Sequence, residues 1–452
     1  MSRLSPARVT ALRVTTAARE RDAFVGEVLD GQLSRGSLSP EDRAFARTLS
    51  LGVATTWGTL DEAIDKYLHT PNDIKADVRD ALRISVYEIL FLHKEDHAAV
   101  DQGVELVRSV TPKAAGLANA VLRKISTGRA NFPYGNPKTD MAAFARLYGF
   151  PQWITRELVD LYGHAGAEEF MKASNLPAPL FIAVNAIRAK DADVIADFAT
   201  EGIELTPVHF GGAALNGCYR APSTAVATNT ARDLFAKGAI LVSDAAAQAV
   251  AQLTLPAAKP SSMLEIGSGR GTKTILLQSG AQRRWGSQVA LTCVDSFDFK
   301  AKLLESRAST YGVQLDQVIS ADARNLSGQL GTKQFDAVFV DAPCSGLGTL
   351  RRHPEIRWKL TRDKVGSLSN RGFALLSEAA RYVAPGGQLT YSTCTITREE
   401  NELVIKEFLE SKAGQGFGVL PTPSPGISNY YFKPALVSNG CDAHFAARLK
   451  HL

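Results

Sequence analysis

Two cysteines in this sequence stand where a thiol would react rather than pack. Cys344 falls in FVDAPCSGLGTLRRHPEIRW, residues 339–358, three places after Asp341 at the close of an apolar run. Cys394 falls in YSTCTITREEN, residues 391–401, at the close of another. A thiolate is a nucleophile that forms covalent intermediates, and a carboxylic acid beside it can share a proton with whatever it attacks. A third segment, LEIGSGRGTKT, supplies Gly267, Gly269 and Gly271. It is no P-loop, because Thr272 separates Gly271 from Lys273, and its glycines miss the dinucleotide-binding spacing.

What remains is a turn that lets the backbone approach a ligand closely. Asp295 ends the next apolar run, where a carboxylate can accept both ribose hydroxyls, and Asp322 ends the third, where it can bind an adenine amino group. The pattern fits an adenosyl ligand without phosphates, S-adenosylmethionine. A methyl donor and a thiol together suit one difficult reaction. Carbon 5 of cytosine is a poor nucleophile, but a thiolate adding to carbon 6 makes the ring an enamine that can attack a methyl sulfonium. Asp341 would support the addition near ring nitrogen 3. A base must then remove the proton on carbon 5, work that a second cysteine can do. The chemistry leaves open which thiol adds to the ring.

These residues need a scaffold of strand ends, and the sequence after about residue 260 provides one. SMLEIG, QVALTCVD, DQVISAD, FDAVFVD and GGQLTYST read as strands, separated by helices such as TKTILLQSG and FKAKLLESRASTYG. The alternation predicts a doubly wound parallel sheet with ligands at the carboxyl ends of its strands. Thr397 to Glu400 reads as a capping box, which predicts a helix start close to Cys394 and a field favouring its thiolate. The first part of the chain differs. In IKADVRDALRISVYEILFLHK, Ile74, Val78, Leu82, Val86 and Ile89 form one helical stripe. Ser39 and Pro40 mark the start of a helix before it. The breaker-rich TGRANFPYGNPKTD closes this region. The division drawn is an all-α domain over 1–130, a linker over 131–140, a small α+β domain over 141–235 and an α/β catalytic domain over 236–452.

Composition sets limits. At 452 residues, two or three domains are expected. No run is apolar and long enough for a membrane helix, and the N-terminus has no signal-peptide core, so a cytoplasmic location is expected. The five cysteines are few and scattered, with no CxxC or Cys/His spacing, which predicts reduced thiols and no metal. Cys218, Cys293 and Cys441 read as small buried hydrophobes. A net charge of +5 permits an anionic partner without requiring one. Arg351, Arg352, Arg357 and Lys359 could track phosphates leading to a flipped base; Arg3, Arg8, Arg13 and Arg19 could extend an RNA footprint. For Trp358, packing is favoured over stacking on a base.

DAPCSGLGTLRRHPEIRW, YSTCTITREENE, SDAAAQAVAQL and the terminal DAHFAARLKHL closely resemble the RNA (cytosine-5) methyltransferases of the Sun/Fmu type. SPEDRAFARTLSLGV and GLANAVLRKI are similar to NusB. The resemblance covers nearly the whole chain. It implies a NusB-like helical domain followed by a Rossmann-like, S-adenosylmethionine-dependent methyltransferase domain. It further implies that the substrate is 16S ribosomal RNA, that Cys394 is the nucleophile, and that Cys344 assists product release. Cofactor contacts are implied at Asp295, Asp322 and Asp341, and at Lys273 near the methionine end. Where the family reads AAPGGKT, this chain reads GSGRGTKT, keeping Lys273 and Thr274. Ala183 and Ser243 also depart from the family pattern. A monomer is expected, with a ribosomal protein as a further contact. The contrasting expectation is an RNA-binding assembly factor whose altered turn no longer supports turnover, although such a factor has no need of two aligned thiols.

Overall fold

The computed structural model describes residues 4–36, 38–94, 96–210, 212–421, 431–433, 436–437 and 439–452. It divides into two compact units, Met1–Pro177 with Leu350–Leu360, and Ala178–Thr349 with Thr361–Leu452.

The first unit is helical: α1 (Pro6–Glu20), α2 (Val25–Arg35), α3 (Pro40–Asp65), α4 (Ala76–Leu90), α5 (Asp96–Val110), α6 (Ala115–Gly128), α7 (Met141–Tyr148) and α8 (Gln152–Ser174). Ser39 caps α3 by accepting the Asp42 amide at 3.1 Å, and Pro40 fills the first helical position, where an amide would have no partner. The expected stripe on α4 is buried at Val78, Leu82, Val86 and Ile89, against Leu49, Leu60, Leu106 and Leu122; Ile74 lies just before the helix and is half-buried. Arg8 of α1 grips the Glu88 carboxylate with Nε at 2.8 Å and Nη2 at 2.5 Å. Arg19 donates to Asp80 at 2.9 Å. These two arginines therefore satisfy acids inside the helical unit instead of extending an RNA footprint; Arg13 is exposed, and Arg3 lies outside the described residues.

The second unit carries two sheets. Strands β1 (Leu180–Val184), β2 (Thr206–Phe210), β3 (Ala213–Ala221) and β4 (Ile240–Val242) make an antiparallel sheet in the order β2-β3-β1-β4, with helices α9 (Asp191–Thr200) and α10 (Asn229–Ala236) between strands. After α11 (Ala245–Thr254) come β5 (Ser262–Ile266), α12 (Thr272–Trp285), β6 (Ala290–Asp295), α13 (Asp298–Tyr311), β7 (Gln317–Ser320), α14 (Ser327–Leu330) and β8 (Phe335–Asp341). The short α15 (Ile356–Lys359) falls in the first unit, and α16 (Arg362–Ala380), β9 (Val383–Thr393), α17 (Glu402–Glu410), β10 (Phe417–Leu420), β11 (Tyr431–Phe432) and β12 (Phe445–His451) complete the second. The large sheet runs β10-β12-β9-β8-β5-β6-β7, with β11 also on β12. Its pairs from β7 to β9 are parallel, as the alternation of strands and helices requires. The antiparallel β10, β11 and β12 are an addition that the alternation did not announce.

Both faces of this sheet are covered. Met263, Leu291, Phe339 and Ala446 point to one side, with Ala249 and Leu276 from α11 and α12. Leu264, Val338, Val340 and Tyr391 point to the other, with Leu376 and Ile405 from α16 and α17. Cys218, Cys293 and Cys441 are buried, as expected of packing residues. Among the described residues no helix is long and apolar enough to cross a membrane.

The segment after Cys344 behaves unlike its basic composition. Arg357 is fully buried, its guanidinium 3.8 Å from the centre of the Phe150 ring, with Nη1 donating to Gly149 O at 3.1 Å and Asn175 Oδ1 at 2.9 Å. Burial pushes its pKa down to about 9, so it remains charged at neutral pH. Lys359 pairs with Asp22 at 2.6 Å, and Trp358 donates from Nε1 to Thr55 O at 2.9 Å. Arg357 is thus an internal fastening and not a phosphate contact, and Trp358 is a packing residue. A Cβ on Gly58 of α3 would lie 2.3 Å from the Trp358 ring. Alanine favours a helix over glycine by about 1 kcal/mol, whereas overpacking costs about 1–3 kcal/mol and loss of the indole hydrogen bond about 1 kcal/mol more. Gly58→Ala is therefore expected to destabilise the helical unit by about 1–3 kcal/mol, read as an earlier urea transition of its helical signal.

Candidate active site

The glycine turn between β5 and α12 is built from left-handed backbone. Gly267, Gly269 and Gly271 have φ of 84°, 56° and 80°, a region costly for residues with a Cβ. A Cβ on Gly267 would come within 2.4 Å of Asp341 O, so only glycine lets the end of β5 pass the end of β8. Asp295, at the end of β6, holds the turn in place. Its Oδ2 accepts the Gly269 amide at 3.0 Å and its Oδ1 accepts the Phe297 amide at 3.1 Å. The turn is thus fixed from within, the amides of Gly267, Ser268, Gly269 and Gly271 all having partners, and Asp295 lies directly at its edge. Asp322 behaves differently: it is half exposed, and its carboxylate is gripped by Arg324, whose Nε reaches both oxygens at 3.0 Å. That partner, with the Arg324 amide, lowers its pKa to about 2.

At the tip of β8, Asp341 Oδ2 accepts Lys273 Nζ at 2.7 Å and Oδ1 accepts Ser392 Oγ at 3.2 Å. Lysine and acid come from segments far apart in sequence, and the parallel pairing of β5, β8 and β9 brings them together. Burial works against the Lys273 ammonium, yet Asp341 outweighs it and keeps the lysine above its ordinary pKa.

The two thiols meet. Cys344 Sγ lies 3.0 Å from Cys394 Sγ and accepts the Cys394 amide at 3.2 Å. The hydrogen bond to Cys394, followed by burial, pushes the Cys344 pKa well above that of a free thiol. The expected helix start beside Cys394 is absent: α17 begins at Glu402, with Asn401 as its cap position. Thr397 and Glu400 do interact, but as side chains, Thr397 Oγ1 donating to Glu400 Oε2 at 2.6 Å. Glu400 is instead turned toward the Cys344 loop, where Ser345 N and Ser345 Oγ each donate to it at 2.6 Å.

Two further residues at this edge went unread in the sequence. The register Phe445↔Thr393 between β12 and β9 sets His444 opposite Cys394 just beyond the ladder. His444 is buried, and burial, then the Lys273 charge, depress its pKa to about 4, against the opposing influence of Asp244 and Asp341. Glu265, on β5 beneath the turn, accepts Thr274 Oγ1 at 2.6 Å and Cys293 Sγ at 3.4 Å. Burial chiefly raises its pKa to about 7. The signal for both was weak, a lone histidine just before a strand and a lone glutamate inside an apolar one.

Comparison with known proteins agrees with this architecture. The model of the 16S rRNA methyltransferase RsmB/F family matches residues 252–450, that of the NusB family residues 5–127, and that of the RsmF/B-like ferredoxin-like domain residues 150–216. The chain is 30% identical to the ribosomal RNA small subunit methyltransferase B of Vibrio cholerae over 382 residues, 82% of each chain. It is 29% identical to the protein of the same name from Xanthomonas campestris pv. campestris, over 90% of this chain and 88% of that one. Among solved structures, PH0851 superposes with a TM-score of 0.79 at 22% identity over 98% of each chain. NSun6 from Pyrococcus horikoshii, solved with SFG, gives 0.57 at 17% identity over 68% of this chain and 99% of that one. At these identities the two structures establish the shared fold.

His444 and Glu265 give opposite pH dependences of stability. Between pH 6.5 and about 4 the unfolded chain binds a proton at His444 that the folded chain does not, so acidification removes up to about 1.4 kcal/mol per pH unit. Between about 7 and 4.5 the folded chain binds a proton at Glu265 that the unfolded chain lacks, so acidification adds stability at a similar slope. Relative to the parent protein, His444→Phe is expected to gain urea resistance as pH falls from 6.5 to 4.5, and Glu265→Gln to lose it.

Proposed function

The chain belongs to the RsmB/F family of 16S rRNA methyltransferases, and from that premise we propose that it methylates carbon 5 of a cytosine in 16S ribosomal RNA, using S-adenosylmethionine and a covalent adduct on Cys394. The observation that carries the reading is the 3.0 Å approach of the two thiols beside the Lys273–Asp341 pair, at the same strand ends as the glycine turn. A structural neighbour solved with SFG, an analogue of S-adenosylmethionine, supports the cofactor. When bound, S-adenosylmethionine supplies an electrophilic methyl group on a sulfonium.

The residues then divide the work. The glycine turn from Gly267 to Gly271 lets the ligand approach closely, Asp295 offers its remaining lone pairs to ribose hydroxyls, and Lys273 faces the methionine end. Asp322 serves the adenine amino group once it releases Arg324. Asp341 shares a proton with ring nitrogen 3, with Lys273 next in line to replenish it. The sulfur pair is asymmetric. A thiolate on Cys394 keeps Cys344 protonated through their shared hydrogen bond. When Cys394 bonds to carbon 6 that negative charge is gone, and Cys344 can release its proton to water. The Cys344 thiolate then takes the proton from carbon 5, the electron pair re-forms the carbon 5–carbon 6 double bond, the sulfur–carbon 6 bond breaks and Cys394 departs as thiolate. The nitrogen 3 proton returns to Asp341. A ribosomal RNA substrate places this work in the cytoplasm.

The test is transfer of labelled methyl from S-adenosylmethionine to 16S rRNA lacking cytosine-5 methylation. Cys394→Ala is expected to abolish transfer. Cys344→Ala is expected to accumulate a protein–RNA adduct that survives denaturation, because its base for the final step is missing. Activity that survives loss of Cys394 but not of Cys344 would reverse the two roles. Intact RNA binding with no transfer by the parent protein would favour the assembly-factor function instead.

A further inference from the structure

Glu400 is a buried carboxylate to which the proposed reaction assigns no part, and its surroundings say what it does. It is 1% exposed and sits on the segment between Cys394 and α17. Its Oε1 accepts the amide of Ser345, the residue after Cys344, and its Oε2 accepts both Ser345 Oγ and Thr397 Oγ1, all at 2.6 Å. Thr395, the residue after Cys394, meets Ser345 Oγ at 2.6 Å. The next residue, Asn401, straddles Cys394: its Oδ1 accepts Thr393 Oγ1 at 2.5 Å and its Nδ2 donates to Thr395 O at 3.1 Å. From behind, Tyr391 OH fixes the Glu400 carbonyl at 2.8 Å.

We propose that Glu400 is the positioning residue of the thiol pair, a clamp whose two carboxylate oxygens fasten the Cys344 loop to the Cys394 loop and so set the distance between the two sulfurs. The chemistry of the side chain fits the task. An ionised carboxylate has acceptor sites on both oxygens and no donor, so one amide and two hydroxyls can be held at once. An apolar residue would avoid the desolvation of a buried charge but would leave those donors unpaired and the two loops joined only by weaker contacts. Backbone pairing supplies a second, coarser link, Gly348 N donating to Cys394 O at 3.0 Å. Glu400 controls the loop tips, where the sulfurs are. It touches no reacting atom. Glutamine keeps the shape and one acceptor oxygen, and both hydroxyls can rotate to donate elsewhere or accept from the new amide. Alanine keeps nothing.

The kinetic part of the test rests on the proposed methyl transfer; the other part does not. Diamide removes one hydrogen from each of two neighbouring thiols, joining them as a disulfide while it is reduced to the hydrazine. The rate at which it joins Cys344 to Cys394 in the full chain, read by mass spectrometry of the linked peptides, measures their approach directly. Glu400→Ala is expected to slow that rate about tenfold and to lower kcat for RNA methylation about 100-fold, since misplacement by about 1 Å costs that much. KM for RNA should stay within about threefold, because uniform binding is untouched. Glu400→Gln should restore most of both losses. Ser345→Ala removes one of the three donors, the hydroxyl that also meets Thr395, and keeps the amide; it should move both readouts in the same direction by a smaller factor, which keeps the test open if Glu400→Ala fails to fold. A parent-like disulfide rate in both Glu400→Ala and Ser345→Ala would overturn the clamp. So would a Glu400→Gln variant with parent-like disulfide formation but no methylation, which would make Glu400 a proton-transfer group. If the parent protein methylates no RNA, the disulfide rates still decide the matter.

Discussion

Everything at the active edge depends on two sulfurs 3.0 Å apart that belong to different strand ends. Parallel neighbours in a sheet run about 4.8 Å apart, so adjacency of β8 and β9 brings the tips close without making them touch. The register Asp341↔Ser392 fixes the starting point. From there one chain needs three residues to reach its cysteine and the other two, and both loops must bend toward each other. Gly348 allows the last approach: a Cβ there would lie 1.8 Å from Ala443 O and 2.8 Å from Cys394 O. Main-chain contact this close between the β8 loop, the β9 loop and the entry to β12 leaves little freedom for either thiol. The antiparallel β12, which contributes nothing to a minimal doubly wound sheet, is what closes this edge.

Holding such a geometry requires polar groups in places where a stable core would have hydrocarbon. Glu265, Glu400 and His444 are all nearly inaccessible, and burial shifts each toward its neutral form. For Glu400 the donors from Ser345 and Thr397 oppose that shift. The arrangement is intelligible if the cleft needs few mobile charges. A neutral His444 leaves the Lys273 ammonium with Asp341 as its carboxylate, since a second cation there would compete for the same oxygens. Functional sites are where perturbed ionisation and local departures from ideal packing gather. Here the perturbed groups lie around and beneath the thiols, in the layer that aims them.

The alternation of strands with helices and the acids at strand tips were legible because both follow from short-range patterns, apolar runs of strand length ended by polar residues. The placement of Cys344 and Cys394 just beyond strand tips was legible for the same reason. Basic residues were not. Arg8, Arg19 and Arg357 look alike in a sequence, as positive charges near other positive charges, yet each is fixed by partners distant in the chain: Glu88, Asp80, and the Phe150 ring with Asn175. No local rule separates an arginine that meets phosphate from one that meets a buried acid or ring face. Thr397 and Glu400 show the opposite failure. Their spacing matched a helix cap, and the two side chains do bond, but the helix begins later and the carboxylate is directed at a loop 55 residues upstream. A motif gives the pairs that can form; the tertiary fold decides what else they hold.

Between Thr349 and Thr361 the chain belongs to the helical unit, and it is fastened there by a fully buried arginine, an indole hydrogen bond and the Val25 amide on Glu355 Oε1 at 2.5 Å. Composition could not show this, because the partners lie 182 to 330 residues away along the chain. The basic residues that look from sequence like an arm for RNA are, at Arg357 and Lys359, held by partners within the helical unit, Asn175 and Asp22.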